Sequence, residues 1–118
     1  MWKTETTTGW KNSVLDFGTQ HPDEAAFLLR NLAHYLAQLK VSKNHKLIET
    51  SYLHRHESGI VSIDQNGMED GLEDSRLYVF PDESTCTLYL LCMGKASEKD
   101  SDMEYCKHFI FYLVNERT

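Results

Sequence analysis

The chain has 118 residues, 41% of them apolar, 25% charged and 11% aromatic, the proportions of one soluble domain that buries roughly two-thirds of its unfolded surface without disulfides, metal or cofactor. A net charge of −6 argues against a domain devoted to wrapping nucleic-acid backbone. With no run near ~20 apolar residues and no apolar stretch behind Met1 of the secretory kind, a cytoplasmic protein that does not enter a membrane is expected. The cysteines Cys86, Cys92 and Cys106 form no C-x-x-C pair, and their odd number fits buried thiols in a reducing compartment.

Trp2 to Thr8 is Thr-rich and alternates weakly, which suits a first strand ended by Gly9. Trp10, Val14, Leu15 and Phe17 line one face of a short helix, with Gly18 placed to cap it. His21-Pro22-Asp23-Glu24 starts a second helix, proline being tolerated in the first turn and the carboxylates favouring the positive end of the dipole. Leu28, Leu32, Tyr35 and Leu39 give it a core-facing stripe to about Lys40. Leu47 to His56 and Gly59 to Gln65 read as β-type runs separated by Glu57-Ser58-Gly59. Residues 66–74 hold two glycines and four carboxylates without Lys or Arg, a solvated loop.

Arg76 to Phe80 and Thr85 to Met93 form a hairpin, with Pro81 presetting the turn Pro81-Asp82-Glu83-Ser84. Leu88 to Met93 is apolar at nearly every position, the mark of a strand covered on both faces. Ser97 with Asp100 resembles a capping box, and Tyr105, Phe109, Tyr112 and Leu113 follow at helical spacing to about Asn115. The expected fold is α+β: a small, mainly antiparallel sheet of about four strands, two N-terminal helices and one C-terminal helix, ordered β-α-α-β-β-β-α in one domain spanning 1–118.

That order, together with Arg76-Leu77-Tyr78-Val79-Phe80, a turn, Leu88-Tyr89-Leu90-Leu91-Cys92-Met93-Gly94-Lys95 and a polar approach to the last helix, resembles the RelE/HigB/ParE-like superfamily of bacterial toxins. The resemblance covers the whole chain in topology and about Arg76 to His108 in residues. It implies the toxin component of a type II toxin-antitoxin module, inhibiting translation by metal-independent cleavage of mRNA on the ribosome and held by a cognate antitoxin. In some branches the target is DNA gyrase. The acidic charge and the sequence Glu98-Lys99-Asp100-Ser101-Asp102, where ribosome-dependent members are lysine-rich, instead fit a non-catalytic, protein-binding relative.

Cleavage by the RNA 2′-OH needs a base, an acid and cations for the phosphorane charge. Arg76 matches the family's strand arginine and would hold phosphate bidentately; an exposed strand arginine paired with Glu73 or Asp74 fits the sequence equally. Residues 40–56 carry four Lys/Arg against Glu49 alone, so Lys43, Lys46 and Arg55, with Lys95, are the candidate RNA-binding cations. His54 and His56 share a strand face and are the candidate base and acid. With His45 they would also make a metal site, although no Cys or carboxylate spacing supports one, and solvent-exposed polar residues on an edge strand are the plain alternative. Tyr78 and Tyr89 would stack on bases or fill the core, and His108 and Glu104 would pair at i, i+4. Cys92 and Cys106 read as core thiols. An antitoxin segment would meet residues 64–74 with positive charge, and a homo-oligomer is compatible with all of this.

Overall fold

Thr7 ends the first strand and starts the first helix. Its hydroxyl accepts the Trp10 N–H (3.0 Å) and donates to the Leu91 carbonyl (2.9 Å), so β1 stops at Lys3–Thr6 and α1 covers Thr8–Gln20. In the computed structural model, which describes residues 1–65 and 72–116, Gly9 therefore lies inside the first helical turn. The Tyr105 ring packs where a side chain on Gly9 would stand, and its hydroxyl accepts the Gly9 N–H (3.0 Å). Gly18 does not cap α1. The helix ends at His21, because the residue before a proline is excluded from helical backbone and Pro22 opens α2, Pro22–Val41.

The expected stripe of α2 is buried in full: Leu28, Leu32, Tyr35 and Leu39 are at most 5% exposed, each worth about 1.5–3 kcal/mol of apolar burial. Glu24 does more than face the helix dipole. Its carboxylate accepts the Glu73 backbone N–H (2.9 Å) and lies 3.4 Å from His21, and the Glu73 bond holds its pKa below the usual carboxylate range.

Among the described residues the sheet has five strands in the order β1-β5-β4-β3-β2, one more than expected. The strands after α2 are β2 (Leu53–Arg55), β3 (Val61–Asp64), β4 (Ser75–Asp82) and β5 (Thr87–Lys95). β1 joins β5 in parallel and the other pairings are antiparallel, so the sheet is mixed. β2 is shorter than the run Leu47 to His56, because Arg55 Nη2 donates to the carbonyls of His45 (3.0 Å) and Ile48 (2.8 Å) and gathers His45–Leu47 into a 3₁₀ turn.

Pro81 lies in β4, opposite Leu88, and not in the turn. β3 reaches only as far as Val79 along its neighbour, so Pro81 needs no N–H partner on that side, an edge position of the kind that tolerates proline. The turn that follows holds Ser84 and Thr85 hydroxyls on the Asp82 carboxylate (2.8 and 2.9 Å). Cys86 stands there at φ 51°, partly exposed, and is not a buried strand thiol.

A bulge shifts the register from Tyr78–Cys92 to Val79–Leu90, turning Leu91 and Cys92 to the same side. α1 and α2 cover one face, with Trp10, Phe17, Leu28 and Tyr35 against Ile63, Leu77 and Leu88. The last helix, α3 (Lys99–Glu116), covers the other with Met103, Cys106 and Ile110 over Ile60, Tyr78 and Leu91. Ser97 does not cap α3. The Asp74 carbonyl takes the Ala96 N–H (2.8 Å), and Ala96–Glu98 winds into a 3₁₀ turn that runs straight into the helix. No described helix is long and apolar enough to cross a membrane.

The β2–β3 turn stores strain at Ser58, a non-glycine residue at φ 61° and ψ 16°. Ser58→Gly is expected to raise stability by about 0.5 kcal/mol, the relief of the left-handed backbone exceeding glycine's entropy cost. Urea denaturation of the two proteins measures it.

Candidate functional site

Val61 and Ile63 belong to the core under α2, so strand alternation sends Ser62 and Asp64 to the α3 side. Register completes the arrangement. Ser62 lies between His54 on β2 and Tyr78 on β4, and Asp64 lies beside Arg76, which is itself opposite Gly94 on β5. His54 Nε2 donates to Asp64 Oδ2 at 2.7 Å, and Arg76 Nη1 is 3.7 Å from Asp64 Oδ1. Glu73 and Asp74, the partners expected for Arg76, are replaced by a carboxylate on the adjacent strand. Asp64 is fixed through its backbone as well: its N–H donates to Tyr52 O (2.8 Å) and its carbonyl accepts Asn31 Nδ2 (2.8 Å).

His56 follows β2 on the same side as His54. Its Nε2 shares a hydrogen bond with Ser62 Oγ (2.8 Å). This is the spacing of a nucleophile and its base, yet Ser62 has no exposed surface and its hydroxyl cannot reach a substrate. Ser62 orients the imidazole. Burial, then the neighbouring Lys99 and Arg76 cations, holds His56 below the usual imidazole range, so it is neutral and able to accept a proton at neutral pH. Half of the His54 side chain is exposed, against about a quarter of Arg76 (24%), so a ligand meets His54 first with Arg76 behind it.

Two openings adjoin His56. One, of about 510 Å³, lies between the β2–β3 turn and α3 and includes Lys99, Met103 and Lys107. The other, of about 230 Å³, runs over the sheet edge past His45, Lys46 and Arg55. On the opposite side of Arg76, Asp102 packs over Gly94, where an added Cβ would lie 2.9 Å from Asp102 Oδ2. The missing side chain makes the space for that carboxyl. Burial, and secondarily Glu98, pushes the Asp102 pKa up to about 6.

The structure thus gathers Arg76, His54 and His56, and disperses the other candidates. Arg55 is opposite Val61 and faces the α2 side, its guanidinium engaged with backbone carbonyls. Lys95, opposite Ser75, shares the face of Met93 and lines a cleft with Asp16 and Gln20 of α1. Lys43 is exposed behind α2, and Lys46 is exposed on the 3₁₀ turn. His45 does not join a metal set: its ring packs edge-on to Trp2 and its Nε2 is 3.4 Å from Glu83. Among the described residues no group of three His, Cys, Asp or Glu is arranged to hold a metal ion.

Tyr78 is buried in the core, and Tyr89, partly buried, packs against it between Phe80 and Phe109. Cys92 and Cys106 meet there at 4.0 Å, and His108 pairs with Glu104 at 3.4 Å. Of the loop read as solvated, Glu73 and Asp74 are exposed, and 66–71 lie outside the described residues.

Asp64, Ser62 and Asp102 were not among the sequence candidates. A signal existed for the first two: polar residues alternating with Val61 and Ile63 occupy one strand face, and aspartate is depleted in strands. Comparison with known proteins finds no matching family model, no matching curated protein and no matching solved structure.

Proposed function

We propose that this chain is a cytoplasmic toxin of the RelE/HigB-like kind that cleaves mRNA without a metal and is neutralised by a cognate antitoxin. The observation that carries the reading is the meeting of His54, His56 and Arg76 on one sheet face around Asp64. In this scheme neutral His56 accepts the proton of a ribose 2′-OH as its oxygen bonds to the adjacent phosphorus. Arg76 holds the non-bridging phosphate oxygens, where charge builds. His54, oriented by Asp64, gives a proton to the departing 5′-oxygen, leaving a 2′,3′-cyclic phosphate. Lys46 and Arg55 along the edge cleft guide the RNA backbone, and Lys43 and Lys95 act at longer range.

One observation favours a second reading, a non-catalytic protein-binding relative of the same fold: a single carboxylate engages both His54 and Arg76, which is also how a purely structural ion cluster is built. Induced expression in a bacterial host separates the two. The nuclease reading expects labelled amino-acid uptake to stop, with Arg76→Ala restoring it. Unaffected growth overturns the nuclease and leaves the binding module, whereas arrest of DNA replication with continuing translation points to gyrase.

A further inference from the structure

β1 is an edge strand, and all four of its residues are exposed. Its inner side is committed to β5: Lys3 N–H donates to Cys86 O (3.0 Å) and Thr7 N–H to Leu90 O (3.2 Å). In a parallel ladder the N–H and C=O of one residue point the same way and alternate residues point oppositely. Lys3, Glu5 and Thr7 therefore bond inward. Thr4 and Thr6 present their N–H and C=O groups outward, together with the Trp2 carbonyl, and such a row is a template for another strand.

The side chains select the strand. An antiparallel copy of β1 centred on Thr4 places Thr4 opposite Thr4, Lys3 opposite Glu5 and Glu5 opposite Lys3. It satisfies the outward backbone groups at the same time: the two Thr4 residues exchange N–H···O bonds, and each Thr6 N–H meets the other chain's Trp2 carbonyl. Lys3 and Glu5 then fall at the positions between backbone bonds, where cross-strand side chains approach closest. Centring on Thr6 would leave Glu5 facing Thr7 and Lys3 facing Gly9, with no charge matched. Lysine on an edge strand normally repels a second strand. Here a glutamate two residues on converts that guard into a self-complementary pair.

We propose that β1 is a self-association edge: two copies of this chain join antiparallel through Lys3–Thr6 about a two-fold axis at Thr4, extending the five-stranded sheet of each into one continuous sheet. A second copy is the occupant because charge and backbone polarity are satisfied together only by the same sequence reversed. The contact is one short strand, so the dimer is weak and forms reversibly with concentration.

Sedimentation velocity at low salt, from the micromolar to the millimolar range, reads it out. Lys3→Glu alone and Glu5→Lys alone each weaken association about tenfold, by replacing attraction with like-charge contact on both sides of the axis, and the double reversal restores it. In amide exchange, Thr4 and Thr6 slow as the dimer forms while Lys3 and Glu5 stay as they are in the monomer. Both reversed side chains are exposed, and unchanged melting temperatures confirm that the variants are folded. A monomer throughout the concentration range, or a dimer that ignores the charge reversals, overturns the proposal.

Discussion

Under the proposed nuclease reading, Asp64→Asn is expected to lower RNA cleavage by about 10²- to 10⁴-fold, the contribution of a positioned acid or base, while the protein stays folded. The amide keeps the shape of the carboxylate but not its charge, so it neither orients the His54 ring as a donor nor holds Arg76 toward the sheet mouth. His54, 2.7 Å from Oδ2, and Arg76, 3.7 Å from Oδ1, depend on the two oxygens of one carboxylate. Groups that work as a unit lose activity non-additively, so Asp64→Asn combined with His54→Ala should cost less than the sum of the two single losses, the remainder being the share that Asp64 exerts through Arg76. Single-turnover cleavage of a short RNA, with circular dichroism as the folding control, measures the cycle. Full additivity would separate the two residues, and a loss of stability with unchanged cleavage would make Asp64 a structural residue only.

The second large effect is one of stability and lies at Asp102. Its ordinary value of 3.8 is pushed up to about 6 by burial, so the folded protein binds this proton more tightly than the unfolded chain does. The stabilisation is complete below about pH 4 and is lost as pH rises to about 6, above which the carboxylate sits charged against Gly94 and Tyr78. The difference between 3.8 and about 6 corresponds to about 3 kcal/mol, and partial solvent access reduces this to about 1–2 kcal/mol. Asp102→Asn should therefore be the more stable protein by that amount near pH ~7.5 and indistinguishable near pH ~4. His45 and His56 act with the opposite sign. Burial lowers both, so their contribution is present above about pH 6.5 and falls away in acid. Denaturant titrations across this range should show the substitution removing the loss on the alkaline side and leaving the acid side as it was.

The helical half of the fold was legible because its signals are local. Pro22 and the four apolar positions from Leu28 to Leu39 define α2 without reference to the rest of the chain. The end of α1 was not read correctly, since Gly18 offers the more familiar stop while the restriction that decides it acts on His21 from its neighbour. Pro81 misled for a related reason: whether a proline can stay in a strand depends on how far the adjacent strand extends, which is a property of register. The same limit applied to the site. His54 and His56 could be put on one face by counting, and Arg76 was singled out by resemblance, but Asp64, the carboxylate between His54 and Arg76, becomes visible only when β3 is laid between β2 and β4. Arg55 and Lys95 look like members of the same basic set in one dimension, yet strand parity sends both to the other side of the sheet.

The parallel pairing of the first strand with the last also orders the assembly of the molecule in time. Thr7 caps α1 and at the same moment bonds the Leu91 carbonyl, 84 residues further along, while β4 and β5 meet across a short turn. Closing the long loop is entropically dearer than closing the hairpin, so the C-terminal hairpin forms early and the N-terminal strand docks late. During synthesis β1 and the start of α1 wait, exposed, until residues 87–95 have emerged, and a chain interrupted before that point has a first helix without its anchor.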